Sequence, residues 1–163
     1  MAERLVLGLD LGTHCGYAWT LEDQPRIELS GSWDLRPNRF EGGGMRFVRF
    51  KAALDDLLHK ENAEEIFVFF EEVAAHKGTA ASHIYGGLLA ILTAECESRG
   101  IPYQGLPVGT IKKHATGKGN ANKNDMMARA DMRFGKVKNA DQADALWVLD
   151  LGLKQLPELK HFG

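Results

Sequence analysis

Apolar residues crowd the start of the chain in a run without alternation, Leu5-Val6-Leu7-Gly8-Leu9, which predicts a strand buried on both faces. One carboxylate, Asp10, stands at its end, and Leu11-Gly12-Thr13 closes the run in a turn. Residues 16–21 predict a second strand. After the turn Asp23-Gln24-Pro25, residues 27–33 predict a third, so that the three form an antiparallel meander. Residues 34–44 hold Pro37 and three consecutive glycines and read as a loop. Phe47, Phe50, Leu54, Leu57 and Leu58 then recur at helical spacing up to about residue 60. That face reads as core more readily than as an interface between copies. Ile66-Phe67-Val68-Phe69-Phe70 is a second doubly buried strand, ending in Glu71-Glu72.

Residues 80–99 form a long amphipathic helix carrying Ile84, Leu88, Ile91 and Leu92, stopped by Gly100 before Pro102. A short strand at 103–106 and a short helix at 107–115 follow, then a mobile basic loop at 116–120. Two helices, 123–134 and 140 to about 153, complete the pattern. Met126, Met127, Phe134 and the three tryptophans fall inside these elements and read as packing residues. A meander followed by strands alternating with helices defines an α/β fold with a mixed sheet, its parallel neighbours joined by crossover helices.

A length of 163 residues fits one domain, 1–163, with a real core. No apolar run approaches a membrane span and the N-terminus lacks a signal-peptide layout, so no membrane partner is expected. Cys15 and Cys96 have no metal-ligand spacing and suit a reducing, cytoplasmic setting. The net charge of −2 argues against a simple polyanion binder, yet its distribution says more. Between Ser98 and Asn124 there is no acid, while Arg99, Lys112, Lys113, Lys118 and Lys123 all fall there.

Acids stand where water should be scarce at three places: Asp10, the pair Glu71 or Glu72, and Asp141 with Asp144. Asp141 and Asp144 are three apart on one helical face, beside Ala140, Ala143 and Ala145, which are small enough for close packing on a sheet. A helix start attracts acids through its dipole, but that explains neither Asp10 nor the acids after Phe70. Carboxylates converging on one site repel unless neutralised. Hard divalent cations with oxygen ligands neutralise them, and a pair of such ions clamps a phosphoryl group for in-line attack by water. The basic stretch would then face a nucleic-acid backbone.

Four blocks, in order, carry a resemblance. They are Leu7-Gly8-Leu9-Asp10-Leu11-Gly12-Thr13 with Gly16-Tyr17; Phe69-Phe70-Glu71-Glu72-Val73; Val108-Gly109-Thr110-Ile111-Lys112-Lys113-His114-Ala115-Thr116-Gly117-Lys118-Gly119 running on to Asn122-Lys123; and Ala140-Asp141-Gln142-Ala143-Asp144-Ala145. The chain resembles the RuvC-type Holliday junction resolvases of the RNase H-like superfamily from Leu5 to about Leu151. The first block alone is shared with actin-like ATPases and sugar kinases; the third and fourth are specific.

The resemblance implies an RNase H-like fold with a five-stranded mixed sheet flanked by helices. It implies Asp10, Glu71, Asp141 and Asp144 as catalytic and metal-binding acids, and it selects Glu71 over Glu72. Two Mg²⁺ or Mn²⁺ ions per site, hydrolysis to a 5′-phosphate and a 3′-hydroxyl, a homodimer and branched DNA as substrate are implied with it, in the cytoplasm of a bacterial or phage-infected cell. Lys112 and Lys123 match basic positions near the DNA; Lys113, Lys118, His76 and Lys77 are further DNA-binding candidates. The loop at 73–79 lacks the aromatic residue usual in bacterial members, which brings the chain nearer to compact phage or prophage versions with broader branched-DNA substrates.

Other readings remain open. A kinase-type ATPase needs a second similar domain, for which the length leaves no room. A non-catalytic DNA-binding protein of the same fold would ordinarily have lost carboxylates, and all four are present. A nuclease acting on flaps, forks or RNA–DNA hybrids would share fold and acids and differ in its binding surface.

Overall fold

The structure, a computed structural model, describes residues 3–76 and 78–159. Five strands form one sheet: β1 (Arg4–Asp10), β2 (His14–Thr20), β3 (Ser30–Asp34), β4 (Glu65–Glu72) and β5 (Tyr103–Pro107). Their spatial order is β3-β2-β1-β4-β5. β1 pairs antiparallel with β2 and β2 with β3, which is the meander; β1 pairs parallel with β4 and β4 with β5. Five helices flank the sheet: α1 (Met45–His59), α2 (Thr79–Arg99), α3 (Val108–Thr116), α4 (Lys123–Phe134) and α5 (Ala140–Leu159). Among the described residues, no helix is long and apolar enough to cross a membrane.

The unalternating strands are apolar on both faces because both faces are covered. Leu5, Leu7, Leu9, Val68 and Phe70 point to one side, where they pack with Phe50, Leu54, Leu57, Leu88 and Leu92 of α1 and α2. Val6, Ala18 and Phe69 point to the other, against Leu146, Trp147 and Leu149 of α5 and Met126 of α4. Each such side chain contributes on the order of 1.5–3 kcal/mol of burial. Phe50 and Leu54 are fully buried and Phe47 packs on Gly87, so the α1 face is core.

Helix α5 lies directly on β1 and β2 because the residues between them lack side chains. A Cβ on Gly8 would stand 2.6 Å from the Leu149 nitrogen and 2.8 Å from the Ala145 carbonyl, and one on Gly16 would collide with the carbonyl of Asp141. Ala143 and Ala145 complete the contact. The N-terminus of α5 is thereby pressed onto the sheet at the end of β1.

Two boundaries differ from the sequence pattern, and one loop has hydrogen bonds that the pattern does not reveal. Residues 27–29 form a 3-10 turn instead of the start of the third strand, because the Ser30 hydroxyl donates to the Ile27 carbonyl at 2.6 Å and closes the turn locally. Helix α5 continues past residue 153, with Leu156 buried as a further step of its apolar face. The 116–120 segment is a loop closed by local hydrogen bonds. Thr116 Oγ1 accepts from the Lys118 N–H, the Ala121 N–H donates to the Lys118 carbonyl, and Ala121 itself is buried.

Candidate active site

Asp10 and Glu71 each stand one residue beyond the last parallel pair of β1 and β4, Leu9 with Phe70. Side chains alternate along a strand, so Asp10 follows Val6 and Gly8 to the α5 face, and Glu71 follows Phe69 to the same face. Glu72 falls on the opposite parity and is exposed. The close seat of α5 on Gly8 and Gly16 delivers Asp144 to this corner. One carboxylate oxygen each from Asp10, Glu71 and Asp144 can be chosen so that all three lie within 4.8 Å of one another. Asp141, one turn earlier on α5, lines the same cavity but lies outside this tight trio.

The cavity holds about 650 Å³ at the C-terminal ends of β1 and β4, where ligands of parallel α/β sheets ordinarily bind. Besides the four acids it is lined by Thr13, His76, Lys112, Asn122 and Lys123. Burial, then the charges of Glu71 and Asp144, hold the Asp10 carboxyl well above the ordinary range. Burial and the neighbouring Glu71 and Asp141 likewise push Asp144 up to about 7, against the opposing pull of Lys123 and Lys112. A convergent, all-oxygen donor set that resists ionisation by itself fits a hard divalent cation. Two larger hollows lack such a set. One, of about 1040 Å³, lies at the opposite end of the sheet around Arg4 and Arg99; the other, of about 800 Å³, lies around His114, Arg133 and Asp150.

The surroundings fix these groups. The Tyr85 hydroxyl accepts the Val73 N–H at 3.1 Å and donates to the Glu71 carbonyl at 2.9 Å, pinning the chain where β4 ends. The His76 ring packs on Tyr85 with centroids 4.8 Å apart, and its Nε2 is shielded from solvent without a hydrogen-bond partner among the described residues. Asn122 caps α4 through a reciprocal box with Asp125, which sets Lys123 in the first turn at the cavity wall. Buried Asp150 of α5 meets His114 Nε2 of α3 at 2.7 Å and the Arg133 guanidinium of α4 at 3.0 Å. Burial alone would raise its carboxyl, but these two partners outweigh it and hold the group low.

The structure therefore brings Asp10, Glu71, Asp141, Asp144, Lys112, Lys123 and His76 to one cavity. Lys113 and Lys118 are exposed away from its lining, and Lys77 lies outside the described residues. Tyr85 and Asp150 carry no motif that sequence reasoning picks out, and Gly8 and Gly16 stand in the first motif block without a packing role read for them; only the small residues beside Asp144 hinted at the close helix.

The architecture is RNase H-like: one mixed five-stranded sheet, helices on both faces and acids at the central strand ends. No family model matches the chain. In sequence it is similar to the crossover junction endodeoxyribonuclease RuvC of Anaeromyxobacter sp. (strain Fw109-5), 25% identical over 144 residues, covering 87% of this chain and 69% of that protein. The RuvC of Anaeromyxobacter sp. (strain K) is 28% identical over 144 residues, covering 87% and 76%. In fold it is similar to Thermus thermophilus RuvC in complex with Holliday junction substrate, with a TM-score of 0.71 at 21% identity over 97% of this chain and 96% of that one. The yeast mitochondrial Holliday junction resolvase Ydc2 matches with a TM-score of 0.54 at 15% identity over 96% and 80%. The resemblance to RuvC-type resolvases thus holds along most of the chain, in sequence and in fold.

Proposed function

We propose that the chain is a metal-dependent endonuclease that cleaves four-way junctions or closely related branched DNA, working as one RNase H-like nuclease domain. The observation that carries this reading is the convergence of Asp10, Glu71 and Asp144 beside Lys112 and Lys123 in one cavity. Asp10, Glu71, Asp141 and Asp144 would hold the divalent ions, two in the full reading and Mg²⁺ or Mn²⁺ by donor chemistry. When bound, such ions supply charge neutralisation and an activated water for phosphodiester hydrolysis. The chain's own part is to hold four acids at strand and helix ends and to hold the DNA phosphate with Lys112 and Lys123. The products would be a 5′-phosphate and a 3′-hydroxyl.

Symmetric cutting of a four-way junction calls for two copies of the site. The exposed face of α2, with the small residues Gly86, Ala90 and Ala94 along it, is where a second copy of the chain would pack. The relatives named RuvC and the fold match to a junction complex favour this substrate over flaps, forks or RNA–DNA hybrids.

The test is a cleavage panel with strand-labelled four-way junction, flap, fork, RNA–DNA hybrid and linear duplex in Mg²⁺ and in Mn²⁺. Paired symmetric nicks in the junction, lost in Asp144→Asn, are the expected result. Equal cutting of every substrate would replace the junction reading with a general nuclease, and undiminished cutting by Asp144→Asn would remove the assignment of the acids.

A further inference from the structure

Residues 35–46, the connection from β3 and the first residues of α1, take no part in the chemistry above, yet they are built with care. Leu35 is buried, and its N–H donates to the Thr13 carbonyl at 2.9 Å. Asn38 and Glu41 close a turn: Asn38 Oδ1 accepts the Phe40 N–H at 3.0 Å, and Glu41 Oε1 accepts the Asn38 N–H at 2.8 Å. Arg49 braces it from α1 by pairing with Glu41 at 2.7 Å and donating to the Arg36 carbonyl at 3.3 Å.

At the tip of this braced turn Phe40 is 88% exposed, above every other large apolar side chain among the described residues. A scattered surface apolar residue is ordinary. Phe40 is not simply scattered, because the Arg39 guanidinium lies 5.2 Å from its ring centroid. Arg36 is neutralised by Asp34 and Arg49 by Glu41, whereas Arg39 and Arg46 have no carboxylate partner among the described residues. Arg46 Nε donates to Thr13 Oγ1 at 3.2 Å, and Thr13 lines the acid cavity. Helix α1 begins here at Met45, with Gly44 at its N-cap, no capping side chain and no acid in its first turn, so its amide end adds positive potential on the same side.

An exposed aromatic face beside planar cations recognises an unpaired nucleotide: the base stacks on the ring, and guanidinium groups take the phosphates. Bases inside intact duplex have no free face to offer. We propose that the 35–46 turn is a second DNA contact of the active site. Phe40 stacks on an unpaired base at a branch point, and Arg39 and Arg46 hold the flanking phosphates. The proposal rests on the reading of the chain as a branched-DNA endonuclease and adds to it a chemical basis for choosing branches. It also adds a second flank. Thr13 joins β1 to β2 on the meander side, whereas Lys112 lies on the helix after β5, at the other edge of the sheet. DNA would cross the acids between them.

Binding is measured on the full chain carrying Asp144→Asn, with Phe40→Ala, Phe40→Trp and Arg39→Ala added separately. The probes are a four-way junction, an oligothymidylate single strand and a linear duplex. Phe40→Ala should weaken junction and single-strand binding about tenfold, with duplex binding and melting temperature unchanged. Phe40→Trp should restore binding, and its added emission should be quenched by the oligothymidylate. Parent-like junction and single-strand binding by Phe40→Ala overturns the proposal, as does loss of duplex binding in equal proportion. Cleavage by the acid-intact protein separates the two readings. If it cuts junctions and Phe40→Ala binds and cuts equally well, the turn fails and the activity stands. If it cuts no branched DNA while single-strand binding still depends on Phe40, the activity fails and the turn stands.

Discussion

Replacing Asp144 with Asn should make the metal-free protein more stable at pH 8 while removing its response to divalent cations. Burial and the charges of Glu71 and Asp141 push Asp144 up to about 7 from an ordinary 3.8. Between those two values the folded state holds a proton that the unfolded chain has released. Stability therefore falls as pH rises from about 4 to about 7, and the full penalty is present above pH 7. Raising the carboxyl from 3.8 to about 7 corresponds to at most ~4 kcal/mol. An amide avoids the ionisation cost but must find hydrogen bonds of its own, so a net gain of about 1–3 kcal/mol is expected.

The assay is thermal unfolding of both proteins without metal, at pH 4.5 and pH 8, and then with Mn²⁺ or Mg²⁺. For a chain of this size 1 kcal/mol moves the midpoint by roughly 2–4 °C, so the variant should melt several degrees above the parent at pH 8 and near it at pH 4.5. Cation at about a hundred times its dissociation constant should add ~2.7 kcal/mol to the parent and much less to the variant. A variant that melts below the parent at pH 8, or that gains as much from Mn²⁺, would refute the picture of a site whose acids crowd one another until a cation arrives.

Gly16→Ala should cost about 1–3 kcal/mol through overpacking against the Asp141 carbonyl; cleavage should fall more than the loss of folded protein, measured as activity per folded molecule. Tyr85→Phe removes the hydroxyl joining the Glu71 carbonyl to the Val73 N–H; it should destabilise by about 1–3 kcal/mol and weaken Mn²⁺ stabilisation in the same melting assay. Lys112→Ala and Lys123→Ala should each lower the slope of log affinity against log salt by about one, and Lys113→Ala, outside the cavity, should change it less; equal effects at all three would detach the cavity from the DNA path.

Most of this fold was legible because its strands lack alternation. Leu5 to Leu9 and Ile66 to Phe70 announced a sheet covered on both faces, and the helical spacings between them supplied the covers. The same feature hid the choice between Glu71 and Glu72. An apolar run has no visible parity, so only the register, with Leu9 opposite Phe70, shows that Glu71 shares a face with Asp10. The 3-10 turn at 27–29 escaped because a single Ser30 hydroxyl closes it. Tyr85 and Asp150 escaped because their partners are distant in sequence and one is a backbone carbonyl. The turn that presents Phe40 read only as a glycine-containing loop, since its order comes from Asn38, Glu41 and Arg49 acting together.

Helix α5 explains why acids and cations share one cavity. Its first turns rest on Gly16 and Gly8, which sets Asp144 against Asp10. One turn on, the Trp147 indole donates to the Met126 carbonyl at 3.1 Å and ties α4 to it. Asp150 then takes His114 from α3 and Arg133 from α4. Lys112 lies two residues before His114, and Lys123 opens α4, so the position of each cation relative to Asp144 is transmitted through contacts with the helix that carries Asp144. Loops alone would let cations of this length drift toward the acids and pair with them. Held apart on helices anchored by α5, they lower the Asp144 carboxyl only in part, against burial and its acidic neighbours. The site keeps more carboxyl groups than these two lysines can balance, so it retains protons that a divalent cation would displace.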